Sequence, residues 1–164
     1  PFLRSEKTSN DYATTLDVLL EVVEEYEKRG QHFDSLCCMY PTAPFVTASA
    51  IRTAMDTLVK ENADTVFPVV KFSFPPQRCM VVQDGRLVAK WPEYTQTRSQ
   101  DLEPYYHDCG QFYCINVNSF LEQRKIMMNN VLPFFQDEIN VQDIDTMEDW
   151  AIAEMKYKIL KDIK

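Results

Sequence analysis

Two apolar stretches, Phe33-Asp34-Ser35-Leu36-Cys37-Cys38-Met39-Tyr40 and Thr65-Val66-Phe67-Pro68-Val69-Val70-Lys71-Phe72, decide the fold. Leu36 to Tyr40 is a continuous apolar run, the pattern of a strand buried on both faces of a parallel sheet. Between the two stretches, Thr47 offers a helix cap, and Ile51, Ala54, Met55 and Leu58 recur on one helical face. Residues 33–72 therefore read as strand, helix, strand, the unit of a right-handed crossover. The fold class this predicts is α/β.

Upstream, Leu16, Leu19, Leu20, Val23 and Tyr26 repeat at helical spacing, which predicts a helix over 8–30 capped within Thr8-Ser9-Asn10-Asp11 and stopped at Gly30. Downstream, Cys79 to Ala89 alternates around Asp84-Gly85, a hairpin signal. Residues 91–109 read as a long polar and aromatic loop, and loops of that length are often functional. Gln111–Val117 reads as a further strand with a short helix after it. Val131–Phe135 reads as an edge strand, because Pro133 cannot donate to a central ladder. Val141–Asp145 reads as extended, and 146–163 as an amphipathic closing helix.

Composition narrows the function classes. The 164 residues carry a net charge of −8 and no Lys/Arg block, which argues against nucleic acid as a partner. No apolar run approaches a membrane span and no leader opens the chain, so a cytoplasmic protein is expected. Five cysteines, none in a C-x-x-C pair, read as reduced and mostly buried thiols. The chain has three glycines, where average usage of roughly 7% would give about eleven, and it lacks the early glycine-rich phosphate loop of a nucleotide-binding domain.

Four groups could carry chemistry. In Asp143-Ile144-Asp145 an extended backbone puts both carboxylates on one side, where they could hold a hard cation such as Mg2+. The competing reading is a cap, with Asp145 and Glu148 forming a capping box for the last helix. Pro41-Thr42-Ala43-Pro44 follows a predicted central strand, where ligands of open α/β sheets bind, or is simply a rigid turn. Arg98 offers a planar fork to a carboxylate or phosphate, with Gln100, Asp101, His107 and Asp108 nearby, or is a solvated surface residue. Gly110-Gln111-Phe112-Tyr113 opens a strand with a lone glycine, suited to close approach of a ligand or to a bulge.

Read together, these pieces resemble the acylneuraminate cytidylyltransferase family, enzymes that activate nine-carbon acidic sugars. The resemblance runs through Asp11–Leu19, Tyr40-Pro41-Thr42-Ala43-Pro44-Phe45, Thr97-Arg98-Ser99-Gln100-Asp101-Leu102, Tyr106–Tyr113 and Val141–Thr146 followed by Glu148-Asp149-Trp150. It covers essentially the whole chain, and its Arg98–Tyr113 and Gln142–Thr146 stretches are the specific ones.

The family implies a three-layer, Rossmann-like mixed sheet of the nucleotide-diphospho-sugar transferase type. It also implies formation of a CMP-sugar and pyrophosphate from CTP and a nonulosonic acid, with pseudaminic acid favoured over N-acetylneuraminate. By the same resemblance Asp143 and Asp145 hold Mg2+, Arg98 faces the acidic sugar, Tyr113 lines its pocket, and Tyr40 and Thr42 border sugar or ribose. Gln111 is a polar contact, and Arg78 and Arg4 are lesser anion contacts. His107 serves the loop's hydrogen bonding rather than proton transfer.

Residues 1–164 read as a single domain lacking the family's N-terminal phosphate-loop segment, with activity expected of the intact enzyme rather than of this span alone. The family forms homodimers, and the hairpin and loop 78–109 is the expected contact. Were the chain complete as given, a non-catalytic α/β interaction module would be the alternative.

Overall fold

The computed structural model describes residues 2–162. Seven strands and four α-helices lie along them. β1 (Ser35–Met39), β2 (Thr65–Lys71), β5 (Tyr106–Asp108), β6 (Phe112–Asn116) and β7 (Val131–Gln136) form one mixed sheet, and β3 (Met80–Gln83) and β4 (Arg86–Ala89) form a separate hairpin. The helices are α1 (Thr15–Lys28), α2 (Ala48–Lys60), α3 (Val117–Gln123) and α4 (Met147–Asp162).

β2 is the centre of the sheet, and six of its seven residues are buried. It runs parallel to β7 on one side and antiparallel to β6 and then β5 on the other. Alternation along the strands sorts the core into two layers. Phe67, Val69, Tyr113 and Ile115 pack with Leu19 and Leu20 of α1 and Phe120 of α3. Val66, Phe112 and Cys114 pack on the opposite face with Ala54 and Leu58 of α2. The protein is thus an α/β fold with helices on both faces of a mixed sheet.

The predicted strand–helix–strand unit is present, with one correction. Within the described residues β1 does not sit between parallel neighbours. Among the described residues it pairs only with β6, antiparallel, and is partly exposed, so β6 separates it from β2. A continuous apolar run reports burial but not which strand lies alongside.

The first helix also begins later than 8–30 suggests. Thr14 caps α1, accepting from the Asp17 N–H while the Asp17 carboxylate accepts from the Thr14 N–H. The preceding residues are drawn off the helix axis by Glu21, whose carboxylate accepts from the Ser5 N–H and hydroxyl and from Thr8 Oγ1 at 2.6–2.7 Å.

Asp84-Gly85 forms the turn as expected, with φ of +50° and +73°, the conformation a two-residue hairpin demands. Among the described residues β7, which bears Pro133, pairs with β2 alone, an edge position. The loop 91–109 is less irregular than predicted. It contains two short 3-10 turns and ends in β5, which pairs with Val69–Lys71.

α4 lacks the one-sided pattern expected of it. Met147, Trp150, Met155, Tyr157 and Ile159 are exposed, and Ala153 alone of its described residues is buried. Ile163, the final residue of the predicted 146–163 helix, lies outside the described residues. Among the described residues no helix is long and apolar enough to cross a membrane.

Candidate active site

β5 and β6 are two halves of one interrupted strand. Two residues of β2, Phe67 and Pro68, face five residues, Cys109 to Tyr113, so the chain bulges out at Cys109-Gly110-Gln111. Pro68 has no N–H to offer a ladder there, and its carbonyl accepts instead from Cys109 Sγ at 3.3 Å. The bulge turns on Gly110 at φ +61°.

That bulge carries the site. Asp108 Oδ1 accepts from the Gly110 N–H at 2.9 Å, and its other oxygen accepts from the Tyr113 hydroxyl. Tyr113 in turn packs edge-on against Tyr40, with ring centroids 5.8 Å apart, and the Tyr40 hydroxyl meets Thr15 Oγ1 at 2.7 Å. Burial, followed by the Asp108 carboxylate beside it, pushes the Tyr113 phenol well above its ordinary value. Tyr113 therefore acts as a neutral hydrogen-bond donor that fixes Asp108.

Asp143 presses on the bulge from the other side. A Cβ at Gly110 would lie 2.6 Å from Asp143 Oδ2, closer than real Cβ atoms approach. Gln111, buried, donates its amide to the Asn140 carbonyl at 3.1 Å and so holds the start of the segment that delivers Asp143 and Asp145. Lys156 of α4 binds the same segment through the Glu138 and Val141 carbonyls at 2.8 and 2.7 Å.

Asp108, Asp143, Asp145 and Asp149 together line one cleft of ≈ 290 Å³, with His107, Glu138 and Lys156 on its rim. The Asp143 carboxyl is raised from its ordinary value, first by desolvation and next by the charge of Asp145, with Asp108 and Asp149 adding to it.

The structure also decides what caps α4. It is Thr146 with Asp149, not Asp145 with Glu148. The Thr146 hydroxyl accepts from the Asp149 N–H at 3.2 Å, and Asp149 Oδ2 accepts from the Thr146 N–H and hydroxyl at 2.8 and 2.7 Å. These bonds hold the Asp149 carboxyl below its ordinary value. Asp145 gives only its backbone N–H to this cap, at 3.2 Å, and its carboxylate is free of capping duty.

Do these residues suit a divalent cation? Among the described residues no three His, Cys, Asp or Glu side chains form a ready cage. Mg2+ does not need one, because it binds through one or two carboxylates and takes waters and phosphate oxygens for the rest. The donors are hard oxygens, Asp143 and Asp145 both line the cleft, and a cation there would offset the desolvation and the Asp145 charge that raise the Asp143 carboxyl. The residues fit.

The other expected site residues are placed differently. Arg98 heads a 3-10 turn, is exposed, and pairs through Nε with Asp101 at 2.7 Å. Arg78 Nη1 donates to Ser99 Oγ at 3.1 Å. The two arginines thus meet the same turn, and neither lines the carboxylate cleft. Thr42 is exposed on the turn after Tyr40, and Arg4 is exposed ahead of Glu6. His107 Nδ1 meets the Asp108 carbonyl at 2.8 Å, consistent with a loop-bonding role.

Sequence reasoning left Asp108, Thr15 and Lys156 without roles. The Asp-x-Gly spacing of Asp108 and Gly110 was the one signal for the first. It also missed Gln77, whose buried amide ties the long loop to the Glu103 carbonyl at 2.8 Å.

No protein-family model matches the chain. Curated relatives do, and they are nucleotide-transferring enzymes that work on acidic sugars. Over 97% of its length the chain is 31% identical to a pseudaminic acid cytidylyltransferase of Campylobacter jejuni, covering 69% of that protein. It is 33% identical, over 93% of its length, to a Helicobacter pylori protein named pseudaminic acid cytidylyltransferase and UDP-2,4-diacetamido-2,4,6-trideoxy-beta-L-altropyranose hydrolase, covering 29% of that chain. It is 28% identical to a CMP-N,N'-diacetyllegionaminic acid synthase of Legionella pneumophila, over 94% of this chain and 67% of the relative. The chain belongs to the pseudaminic acid cytidylyltransferase family.

Proposed function

We propose that the protein transfers the cytidylyl group of CTP to pseudaminic acid, giving CMP-pseudaminic acid and pyrophosphate. The observation that carries this reading is the 31% identity, maintained along 97% of the chain, to a curated pseudaminic acid cytidylyltransferase. A family of enzymes displaces the interaction-module alternative. Helices on both faces of a mixed sheet support the narrower reading of a nucleotide-diphospho-sugar transferase fold.

In this reading the sugar's anomeric hydroxyl attacks the α-phosphorus of CTP and pyrophosphate leaves in line. The work of the protein is to position two anions and to meet charge as it develops. Asp143 and Asp145 would hold Mg2+, which when bound neutralises phosphate oxygens. Gly110 leaves room for Asp143, and Gln111 and Lys156 fix the segment that carries it. Tyr113 and Asp108 brace the bulge behind, with Tyr40 and Thr42 bordering the sugar or ribose. Arg98 and Arg78, borne on the long loop, would meet the sugar carboxylate.

We also propose a homodimer through 78–109. Met80, Val82 and Leu87 lie on one face of the hairpin and are 62–71% exposed, an apolar patch of the kind interfaces cover.

The test is pyrophosphate release by the intact protein with CTP, Mg2+ and each of pseudaminic, N,N'-diacetyllegionaminic and N-acetylneuraminic acids. Release with pseudaminic acid supports the proposal. Release with another of the three alone moves the assignment to that sugar, and release with none overturns it.

A further inference from the structure

Cys37 of β1 stands directly opposite Cys114 of β6 in the antiparallel ladder. The ladder's hydrogen bonds fix the kind of pair this is. The Tyr40 N–H donates to the Gln111 carbonyl at 2.9 Å, and the Val117 N–H donates to the Asp34 carbonyl at 3.0 Å. Bonded and non-bonded pairs alternate along such a ladder. Asp34, Leu36, Cys38 and Tyr40 therefore occupy bonded sites, and Cys37 with Cys114 occupies a non-hydrogen-bonded one. At such sites opposing Cα atoms are about 4.5 Å apart with side chains at their closest, inside the roughly 4.4–6.8 Å that a disulfide spans.

The chemistry of the two thiols is asymmetric. Cys37 is exposed and Cys114 fully buried among Ala54, Leu58 and Phe112. The neighbouring Cys114 thiol holds Cys37 below its ordinary value, and Cys37 together with burial raises Cys114. Cys38 is no rival partner, because it lies opposite Tyr113 and packs on the other face of the sheet. Cys79 and Cys109 lie outside both strands.

We propose that Cys37 and Cys114 form a reversible cross-strand thiol–disulfide pair that is oxidised by hydroperoxides. The Cys37 thiolate attacks the peroxide, the O–O bond breaks, and Cys37 becomes a sulfenic acid while the leaving oxygen takes up a proton. Cys114 sulfur then displaces hydroxide from Cys37, and its own proton joins that hydroxide as water. Two electrons pass from the thiols to the peroxide, and an external dithiol returns them. The bond would lock β1, which leads into Tyr40, to β6, which carries Tyr113.

The experiment treats the folded chain with equimolar hydrogen peroxide. It then alkylates under denaturing conditions and maps the peptides by mass spectrometry. The pair protects two of the five thiols, yields one linked peptide containing Cys37 and Cys114, and is reversed by dithiothreitol. Cys37→Ser abolishes all protection. Cys114→Ala leaves Cys37 as a sulfenic acid that dimedone captures. Five alkylatable thiols, a Cys37–Cys38 bond, a bond between two chains, or sulfenic Cys37 persisting in the wild type each overturns the proposal. If Cys114→Ala does not fold, the wild-type map and Cys37→Ser decide.

Discussion

Asp143 lies so close to Gly110 that a Cβ on Gly110 would fall 2.6 Å from Asp143 Oδ2 and 2.7 Å from its Cγ. The glycine is therefore favoured twice, by its φ of +61° and by the room it leaves for the Asp143 carboxylate. Gly110→Ala should cost about 1–2 kcal/mol from the left-handed backbone alone and push Asp143 out of place. We expect a lower melting temperature and a fall in kcat of the intact enzyme by about tenfold or more. Full turnover in this variant would show that the position of Asp143 does not matter.

Asp143 bears a charge its surroundings resist, chiefly through desolvation and through Asp145. Asp143→Asn should therefore raise the melting temperature in the absence of metal, by something of the order of 2 °C. The same variant should lose turnover by about 10²-fold and lose the thermal stabilisation that Mg2+ with CTP gives the wild type. A melting temperature that falls in metal-free buffer would mean the carboxylate serves the fold instead.

Much of this arrangement can be read in the sequence, and the remainder has a common cause. Thr47, Asp84-Gly85 and Pro133 act through neighbours a few residues away, so α2, the hairpin and the edge position of β7 were legible. Asp143 and Asp145 were singled out by their spacing alone, and both line the carboxylate cleft. The errors lie where distant residues decide. Glu21 reaches back to Ser5 and Thr8 and so delays α1. β5 is three residues long and exists only because Val69–Lys71 lie beside it. The apolar run of β1 reports burial and not the neighbour, which among the described residues is the antiparallel β6.

The identity of the α4 cap separates stability from catalysis at adjacent residues. Thr146→Ala removes the hydroxyl that accepts from the Asp149 N–H and should destabilise by about 1 kcal/mol, with turnover largely kept. Asp145→Asn should leave thermal stability near wild type and cripple turnover. Glu148→Ala should change neither, since Thr146 and Asp149 complete the cap without it. Unfolding of Asp145→Asn, or marked destabilisation by Glu148→Ala, would restore the other cap.

Glu21 gives the fold a defined acid sensitivity. Hydrogen bonds from Ser5, side chain first and backbone second, and from Thr8 lower its carboxyl from 4.5 to about 2. A depressed folded-state value means the unfolded chain binds the proton more readily. The stabilisation from ionised Glu21 is therefore complete above pH 4.5, falls away as the pH drops, and is gone below about 2. Glu21→Gln removes the titrating group while keeping its shape. Wild type and variant should differ most in melting temperature near neutral pH and converge as the pH falls through that window. The loss should begin at the segment around Ser5 and Thr8, so amide exchange there should speed up before that of β2. A gap that stays constant from pH 7 down to the acid limit would show that Glu21 holds this segment by packing, not by charge.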